Sequence, residues 1–161
     1  MIDLSQFEKK VNVVFKDRNL LKQAFIHRSY INENPRTGFS HNERLEFLGD
    51  AVLELIVTDF LFRKYPNKQE GELTSYRAAL VNAQIIGSIA MNDLGMNDFM
   101  LLSKGEAKDV GKARQYILAN TYEALLGAIY LDQGYDAAKK FVEETLLPRV
   151  DEIVAKKLWR D

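Results

Sequence analysis

Residues 42–50, NERLEFLGD, open the stretch of chain that decides the fold. The helical pattern that begins here continues to about Tyr65, where Pro66 and Asn67 stop it. At about 100° per residue, carboxylates gather on one face and apolar side chains on the other. The acidic face carries Glu43, Glu46, Asp50 and Glu54, and the apolar face carries Leu45, Leu48, Val52, Leu55 and Ile56. The stretch therefore predicts a helix that packs with one side and presents carboxylates on the other.

The acidic face has few compensating charges. Arg44 is the only basic residue between Glu43 and Phe62, whereas solvated helix faces usually mix Lys or Arg with the acids. A divalent cation such as Mg²⁺ would relieve the repulsion, because hard cations take carboxylate oxygens as ligands. From this geometry alone, a metal site and a plain solvated face both remain open.

An aromatic residue, Phe47, lies on the acidic side of the same helix, about 40° from Glu43. An aromatic ring in that position would be exposed to solvent unless another part of the protein covered it. A loop of its own chain could supply the cover, or the ring could insert into a partner subunit, since aromatic residues anchor interfaces. We favour the partner subunit.

A second segment, residues 117–132, is apolar around nearly its whole circumference and predicts a central helix. Burying a Glu in such a helix is costly, so Glu123 needs a partner, and Asn120 lies one turn before it on the same face. Facing the acidic helix, these two oxygens would complete a cation site. The alternatives are a buried salt bridge from Glu123 to Arg77 or Arg28, or a hydrogen-bonded core Asn.

Further helical patterns flank these two segments, and no strand-like alternation is sustained. Ser5 and Glu8 have the spacing of a capping box at the start of the first helix. The sequence thus predicts a single all-α domain with a loop over residues 32–41. Besides the two segments above, helices are expected over residues 7–15, 20–25, 73–81, 84–94 and 137–146, with a charged final segment from Val150.

Composition narrows the class of protein. The 161 residues are 47% hydrophobic and 28% charged and include no Cys, which excludes disulfides, zinc knuckles and thiol chemistry. No apolar run approaches the roughly 18 to 20 residues of a spanning helix, which argues against membrane and secretory interpretations. A cytoplasmic location is predicted.

The net charge of −1 gives no overall attraction to nucleic acid, so binding of a polyanion would need a local cluster of basic residues. The clearest basic excess lies in residues 104–114, where four basic residues outnumber two acidic ones in a stretch with two glycines. A phosphate contact and a solvated flexible loop both remain open on charge alone. The four basic residues are Lys104, Lys108, Lys112 and Arg114.

Four motifs together resemble the catalytic domain of ribonuclease III. They are HRSY at residues 27–30, NERLEFLGD at 42–50, Glu70-Gly71 followed by Arg77-Ala78, and ILANTYEALLGAIYLD at 117–132. The match spans nearly the whole chain, and NERLEFLGD is highly specific for that family. The resemblance implies an all-α fold and a metal-dependent endoribonuclease acting on double-stranded RNA as a homodimer. It implies products with 5′-phosphate and 3′-hydroxyl ends and short 3′ overhangs, and roles in RNA processing that include rRNA precursors.

The resemblance also implies roles for individual residues. Glu46, Asp50 and Glu123 correspond to the catalytic carboxylates, which would bind Mg²⁺, or Mn²⁺ in its place, with no small-molecule cofactor. Asn120 would join them as a metal ligand. Phe47 matches the aromatic residue that docks into the partner subunit. Further acidic site residues are Glu43 and Glu70, and the basic loop around Lys104 and Lys108 falls near bound RNA.

Two departures from the family pattern matter. Asn120 stands where the family has a catalytic Asp, which predicts weaker or altered metal affinity. The chain ends at Asp161, where bacterial members continue into a double-stranded RNA-binding domain, so residues 1–161 are interpreted as the catalytic domain without that second domain.

Two other functions stay open. Asn120 motivates a catalytically impaired, RNA-binding relative of ribonuclease III. The Glu43/Glu46 pair superficially resembles the E-x-x-E helix of all-α nucleotide pyrophosphohydrolases. The second helix of that family would need E-x-x-D, whereas residues 120–123 read Asn-x-x-Glu.

Overall fold

The computed structural model describes residues 2–160, so the ends of the predicted domain, Met1 and Asp161, lie outside the described residues. Within that range the chain forms ten α-helices and no strand longer than the isolated bridge between Ile26 and Leu101, which confirms the all-α prediction. The helices are α1 (Leu4–Val11), α2 (Arg18–Ala24), α3 (Arg28–Glu33), α4 (Glu43–Lys64), α5 (Glu70–Leu80), α6 (Ala83–Ser88), α7 (Lys104–Lys108), α8 (Lys112–Gln133), α9 (Tyr135–Thr145) and α10 (Val150–Arg160).

The two longest helices, α4 and α8, cross in direct backbone contact. A Cβ on Gly49 would overlap the Glu123 carbonyl oxygen and lie 2.9 Å from the Gly127 nitrogen. A Cβ on Gly127 would likewise overlap the Leu45 carbonyl oxygen. The absence of side chains at these two positions therefore lets the helices approach each other as closely as they do.

The core surrounds α8, as predicted for a central helix. Leu118, Leu125 and Ile129 are fully buried, and each such side chain contributes about 1.5–3 kcal/mol to folding. On the α9 side, the Tyr122 and Phe141 rings lie 5.3 Å apart. The Tyr122 hydroxyl shares a 2.6 Å hydrogen bond with the Thr145 hydroxyl, so this buried phenol keeps a polar partner.

The first turn of α1 differs from the predicted capping box. Asp3 is the N-cap, and its carboxylate accepts from the Ser5 backbone nitrogen at 3.0 Å. Glu8 is instead 3% exposed, accepts from the Phe15 nitrogen at 2.7 Å and forms an ion pair with Arg18. Glu8 thus fastens the returning chain, because a buried carboxylate needs partners.

Several boundaries and one buried face also differ from prediction. α5 begins at Glu70, and the pattern over residues 84–94 divides into α6 and a π-helical turn at Ile89–Asp93. α3 occupies the start of the predicted loop. Leu55 is 57% exposed, so its assignment to the packed face was wrong, because α4 buries a narrower strip than the pattern suggests.

No helix within residues 2–160 combines the length and apolar character needed to cross a lipid bilayer.

Candidate active site

The N-terminal half of α4 carries the acidic residues of the site. Buried Asn42 fixes the start of this helix, since its side-chain amide donates to the Ala24 carbonyl at 2.9 Å and its backbone nitrogen donates to the Ile26 carbonyl at 2.9 Å. Glu46 is half-buried on the first turn and Asp50 is exposed on the second. Residues four apart lie on one helix face, so both carboxylates point to the same side.

The central helix α8 supplies the remaining polar groups. Glu123 and Asn120 are both half-buried, and the Glu123 carboxyl lies within hydrogen-bonding reach of the Asp50 carboxyl. This contact follows from the helix crossing, because Gly49 abuts the Glu123 backbone and Asp50 is the next residue. Two carboxyl groups can form such a bond only when one of them carries a proton.

The proximity of these acids changes the ionisation of Glu123 and Glu46. Burial, the hydrogen bond to Asp50 and the charges of Asp50 and Glu46 raise the pKa of Glu123 to about 9. Burial, followed by the charges of Glu43 and Asp50, also raises the pKa of Glu46. The cleft therefore holds more negative charge than its surroundings compensate.

The arginines considered as partners of Glu123 pair with other residues. Arg77 donates to the Thr58 hydroxyl at 2.9 Å and pairs with Glu54 at 3.5 Å. Arg28 lies 3.9 Å from Glu43. The salt-bridge alternative for Glu123 is therefore wrong, and Glu54, predicted in the acidic stripe, belongs to an ion pair with α5.

These side chains line an open cleft of about 780 Å³. Glu70 is absent from its lining and is exposed at the start of α5, so within the described chain it is not brought to the other acids. The predicted residues that the cleft brings together are Glu43, Glu46, Phe47, Asp50, Asn120 and Glu123.

Phe47 stands at this cleft and is 83% exposed, so no loop of its own chain covers it. The cleft is also lined by His27, Arg28 and Tyr116, none of which was predicted as a catalytic, metal-binding or RNA-binding residue. The HRSY motif contains two of them and was the available signal. Burial lowers the pKa of His27, which favours the neutral imidazole.

The basic stretch is more ordered than the flexible loop considered from the sequence. It forms α7, and α8 already begins at Lys112. Lys104, Lys108 and Lys112 are exposed. Arg114, however, is 3% exposed and donates to the Asn97 side chain at 2.5 Å and to the Glu106 carbonyl at 2.7 Å. The prediction of Arg114 as an RNA contact was therefore wrong, because the early start of α8 turns this side chain inward.

The donor set is compatible with a hard divalent cation. Among the residues that the structure describes, no three Asp, Glu, His or Cys side chains stand close enough to enclose an ion. Burial and the neighbouring carboxyl groups nevertheless raise the pKa of Glu123 and so favour a proton there, which indicates a place that would accept positive charge. Carboxylate and amide oxygens are ligands that Mg²⁺ and Mn²⁺ accept, and binding would release the proton.

The fold and the cleft define an all-α class of proteins in which two long crossing helices bring carboxylates together. The family model described as Ribonuclease-III-like matches residues 17–150, and the chain belongs to this family.

Relatives and solved structures support this family membership. The chain is 48% identical over 147 residues to Ribonuclease 3 of Geobacillus sp. (strain WCH70), covering 91% of this chain and 59% of that protein. It is 46% identical to Ribonuclease 3 of Enterococcus faecalis (strain ATCC 700802 / V583), covering 91% of this chain and 64% of that protein. The chain thus spans about three fifths of the length of these relatives.

Among solved structures, the nuclease domain of ribonuclease III from Campylobacter jejuni superposes with a TM-score of 0.81 at 40% identity. That superposition covers 89% of this chain and 96% of the other, and the description of that structure mentions a region involved in dimer formation. Dicer from Pichia stipitis superposes with a TM-score of 0.64 at 27% identity, covering 86% of this chain and 58% of the other.

Proposed function

We propose that this domain is a metal-dependent endoribonuclease that hydrolyses phosphodiester bonds in double-stranded RNA. The observation that carries the proposal is the convergence of Glu46, Asp50, Asn120 and Glu123 on one open cleft, where burial and the neighbouring carboxyl groups raise the pKa of Glu123 to about 9. Strongly shifted carboxyl groups in a cleft mark functional sites, because folding alone gains nothing from adjacent acids. Membership of the Ribonuclease-III-like family supports the choice of reaction.

The proposed ligands of Mg²⁺, or of Mn²⁺ in its place, are Glu46, Asp50, Asn120 and Glu123, with no small-molecule cofactor. When bound, the ion would supply activation of water and stabilisation of charge on the scissile phosphate. The protein orients the ligands by the α4–α8 crossing and keeps Glu46 half-buried at the cleft wall. Glu43 remains at the rim, 3.9 Å from Arg28.

The proposed substrate is recognised by its A-form shape and backbone charge. Exposed Lys104, Lys108 and Lys112 would supply phosphate contacts, and binding should weaken steeply with salt because these contacts release counterions. The proposed products carry 5′-phosphate and 3′-hydroxyl ends with short 3′ overhangs, from targets that include rRNA precursors in the cytoplasm. Glu70 lies outside the cleft of its own chain, so a part in cleavage would need an arrangement other than that of the single chain.

The test is cleavage of a labelled RNA duplex at low salt, with Mg²⁺, with Mn²⁺ and with EDTA. We expect cutting with either ion and none with EDTA. Free nucleoside triphosphates form a second arm, and their hydrolysis without duplex cleavage would instead support the pyrophosphohydrolase alternative. Duplex binding without cutting at any metal concentration would support the impaired RNA-binding alternative motivated by Asn120.

Asn120→Asp should raise cleavage at low Mg²⁺ because it adds a ligand charge at the cleft. The expected change is a lower Mg²⁺ concentration for half-maximal rate, by about tenfold, with a smaller effect at saturating Mg²⁺. Titration of the rate with Mg²⁺ measures it, and Asn92→Asp on the turn after α6 is the charge control. An unchanged Mg²⁺ dependence would mean that the missing charge is not limiting.

Phe47→Ala should shift the proposed homodimer toward monomer. A ring that is 83% exposed beside the cleft has no cover in its own chain, and burying it in a partner would contribute about 2 kcal/mol or more. Sedimentation at several protein concentrations measures the shift. Phe62→Ala, which removes a 69% exposed ring at the other end of α4, is the matched control. A Phe47→Ala dimer of unchanged strength would contradict the assignment.

A further inference from the structure

The short helix α3 and the basic helix α7 are joined by hydrogen bonds across 71 to 74 residues of sequence. The Ser103 nitrogen donates to the Ser29 hydroxyl oxygen at 2.9 Å, and the Lys104 nitrogen donates to the Glu33 carboxylate at 3.1 Å. Ser29 and Glu33 lie one turn apart, so one face of α3 receives both amides at the start of α7. The first turn of α7 is thereby held at two points.

Ser29 is also bonded to a residue of the cleft. Its hydroxyl lies 2.8 Å from the Nδ1 atom of His27, and its backbone nitrogen donates to the same Nδ1 at 3.2 Å. Because Nδ1 accepts from the backbone, the single hydroxyl proton of Ser29 goes to Nδ1, and the hydroxyl oxygen is left to accept from Ser103. His27 lines the cleft with the carboxylates. Ser29 therefore links the cleft wall directly to α7.

Two further contacts hold the chain before and within α7. The His27 nitrogen donates to the Leu101 carbonyl at 3.0 Å, so the strand-like residues before α7 pair with the residues before α3. In the middle of α7, the Glu106 carbonyl accepts from buried Arg114 at 2.7 Å. A five-residue helix has little stability of its own, so its place depends on these outside contacts.

We propose that Ser29 is a positioning residue for duplex RNA, which acts by holding the exposed lysines of α7 at a fixed place relative to the carboxylate cleft. Ser29 touches neither RNA nor metal in this role. The inference rests on the proposed function, because it concerns how duplex RNA is placed for cleavage. Its effect should appear in substrate binding and should require Lys104 and Lys108.

The experiment measures KM and kcat for duplex cleavage at saturating Mg²⁺. Ser29→Ala should raise KM by about 3- to 10-fold, with kcat changed by less than about twofold, since the loss is of neutral hydrogen bonds to His27 and Ser103 and not of a contact to a proposed metal ligand. Ser29→Thr retains a hydroxyl and should restore most of the affinity. Ser75→Ala, which shortens a half-buried serine in α5, is the matched control and should leave both constants unchanged.

A double-mutant cycle tests the route through α7. With Lys104 and Lys108 both replaced by Ala, Ser29→Ala should raise KM no further, because the groups that it positions are gone. A KM effect that adds in full to that of the lysines would overturn the proposal, as would a fall in kcat alone. Normal cleavage with unchanged KM in Ser29→Ala overturns only this inference. Failure of the unsubstituted chain to cut any duplex overturns the proposed function and this inference with it.

Discussion

Glu123→Gln should abolish duplex cleavage while making the metal-free chain more stable at pH 8. The substitution keeps the volume of the side chain and removes the charge of a proposed metal ligand, so we expect a rate loss of more than about 100-fold. The fold should persist, because Gln can still bond to Asp50 across the helix crossing. Cleavage measured beside the unsubstituted chain tests the first effect, and retained activity would contradict the site assignment.

The stability effect follows from the raised pKa of Glu123. Its usual pKa of 4.5 in the unfolded chain becomes about 9 in the folded one, so the folded state binds the proton more tightly. The free energy of unfolding therefore falls as pH rises through the window from about 4.5 to 9. Gln does not ionise and escapes this loss. After allowance for partial solvent exposure, we expect a gain of about 1–2 kcal/mol at pH 8.

Thermal unfolding in EDTA at pH 5 and pH 8 measures this difference. The Glu123→Gln variant should gain stability over the unsubstituted chain at pH 8 and little at pH 5. Glu152→Gln is the matched control, since Glu152 is exposed on α10, away from the cleft. Equal differences at both pH values would show that Glu123 titrates normally.

Gly49→Ala should destabilise the chain by about 3 kcal/mol or more, the largest stability effect expected here. The added Cβ would overlap the Glu123 carbonyl oxygen, and that atom is backbone on a central buried helix, so it cannot swing aside. The helices would have to separate, which would also pull Asp50 away from Glu123. Urea unfolding measures the loss, and a lower apparent pKa of Glu123 would accompany it in any folded fraction.

Gly71→Ala is the matched control, because Gly71 is also helical and a Cβ there meets nothing within 4 Å. It should leave stability unchanged or raise it by up to about 1 kcal/mol, as Ala is the better helix former. If Gly49→Ala unfolds at the same urea concentration as Gly71→Ala, then α4 and α8 do not meet through their backbones.

Most helices could be predicted from the sequence, because apolar periodicity records which side of each helix is buried. The predictions were wrong where contacts with other parts of the chain determine the position of a side chain. The spacing of Ser5 and Glu8 predicted a capping box, yet the returning chain recruits Glu8 into the interior. Arg114 looked like a surface cation, yet the start of α8 at Lys112 turns it toward Asn97.

The sequence by itself determined the all-α class, the acidic face of α4 and the presence of a carboxyl group on a buried helix, because these depend on angular positions within one helix. Only the tertiary structure decided which acids meet. Asp50 reaches Glu123 because two glycines let the helix backbones touch, whereas Glu54 is drawn to Arg77 and Glu70 stays apart. Distances between helices depend on how their backbones pack, and the periodicity of a single helix does not contain that information.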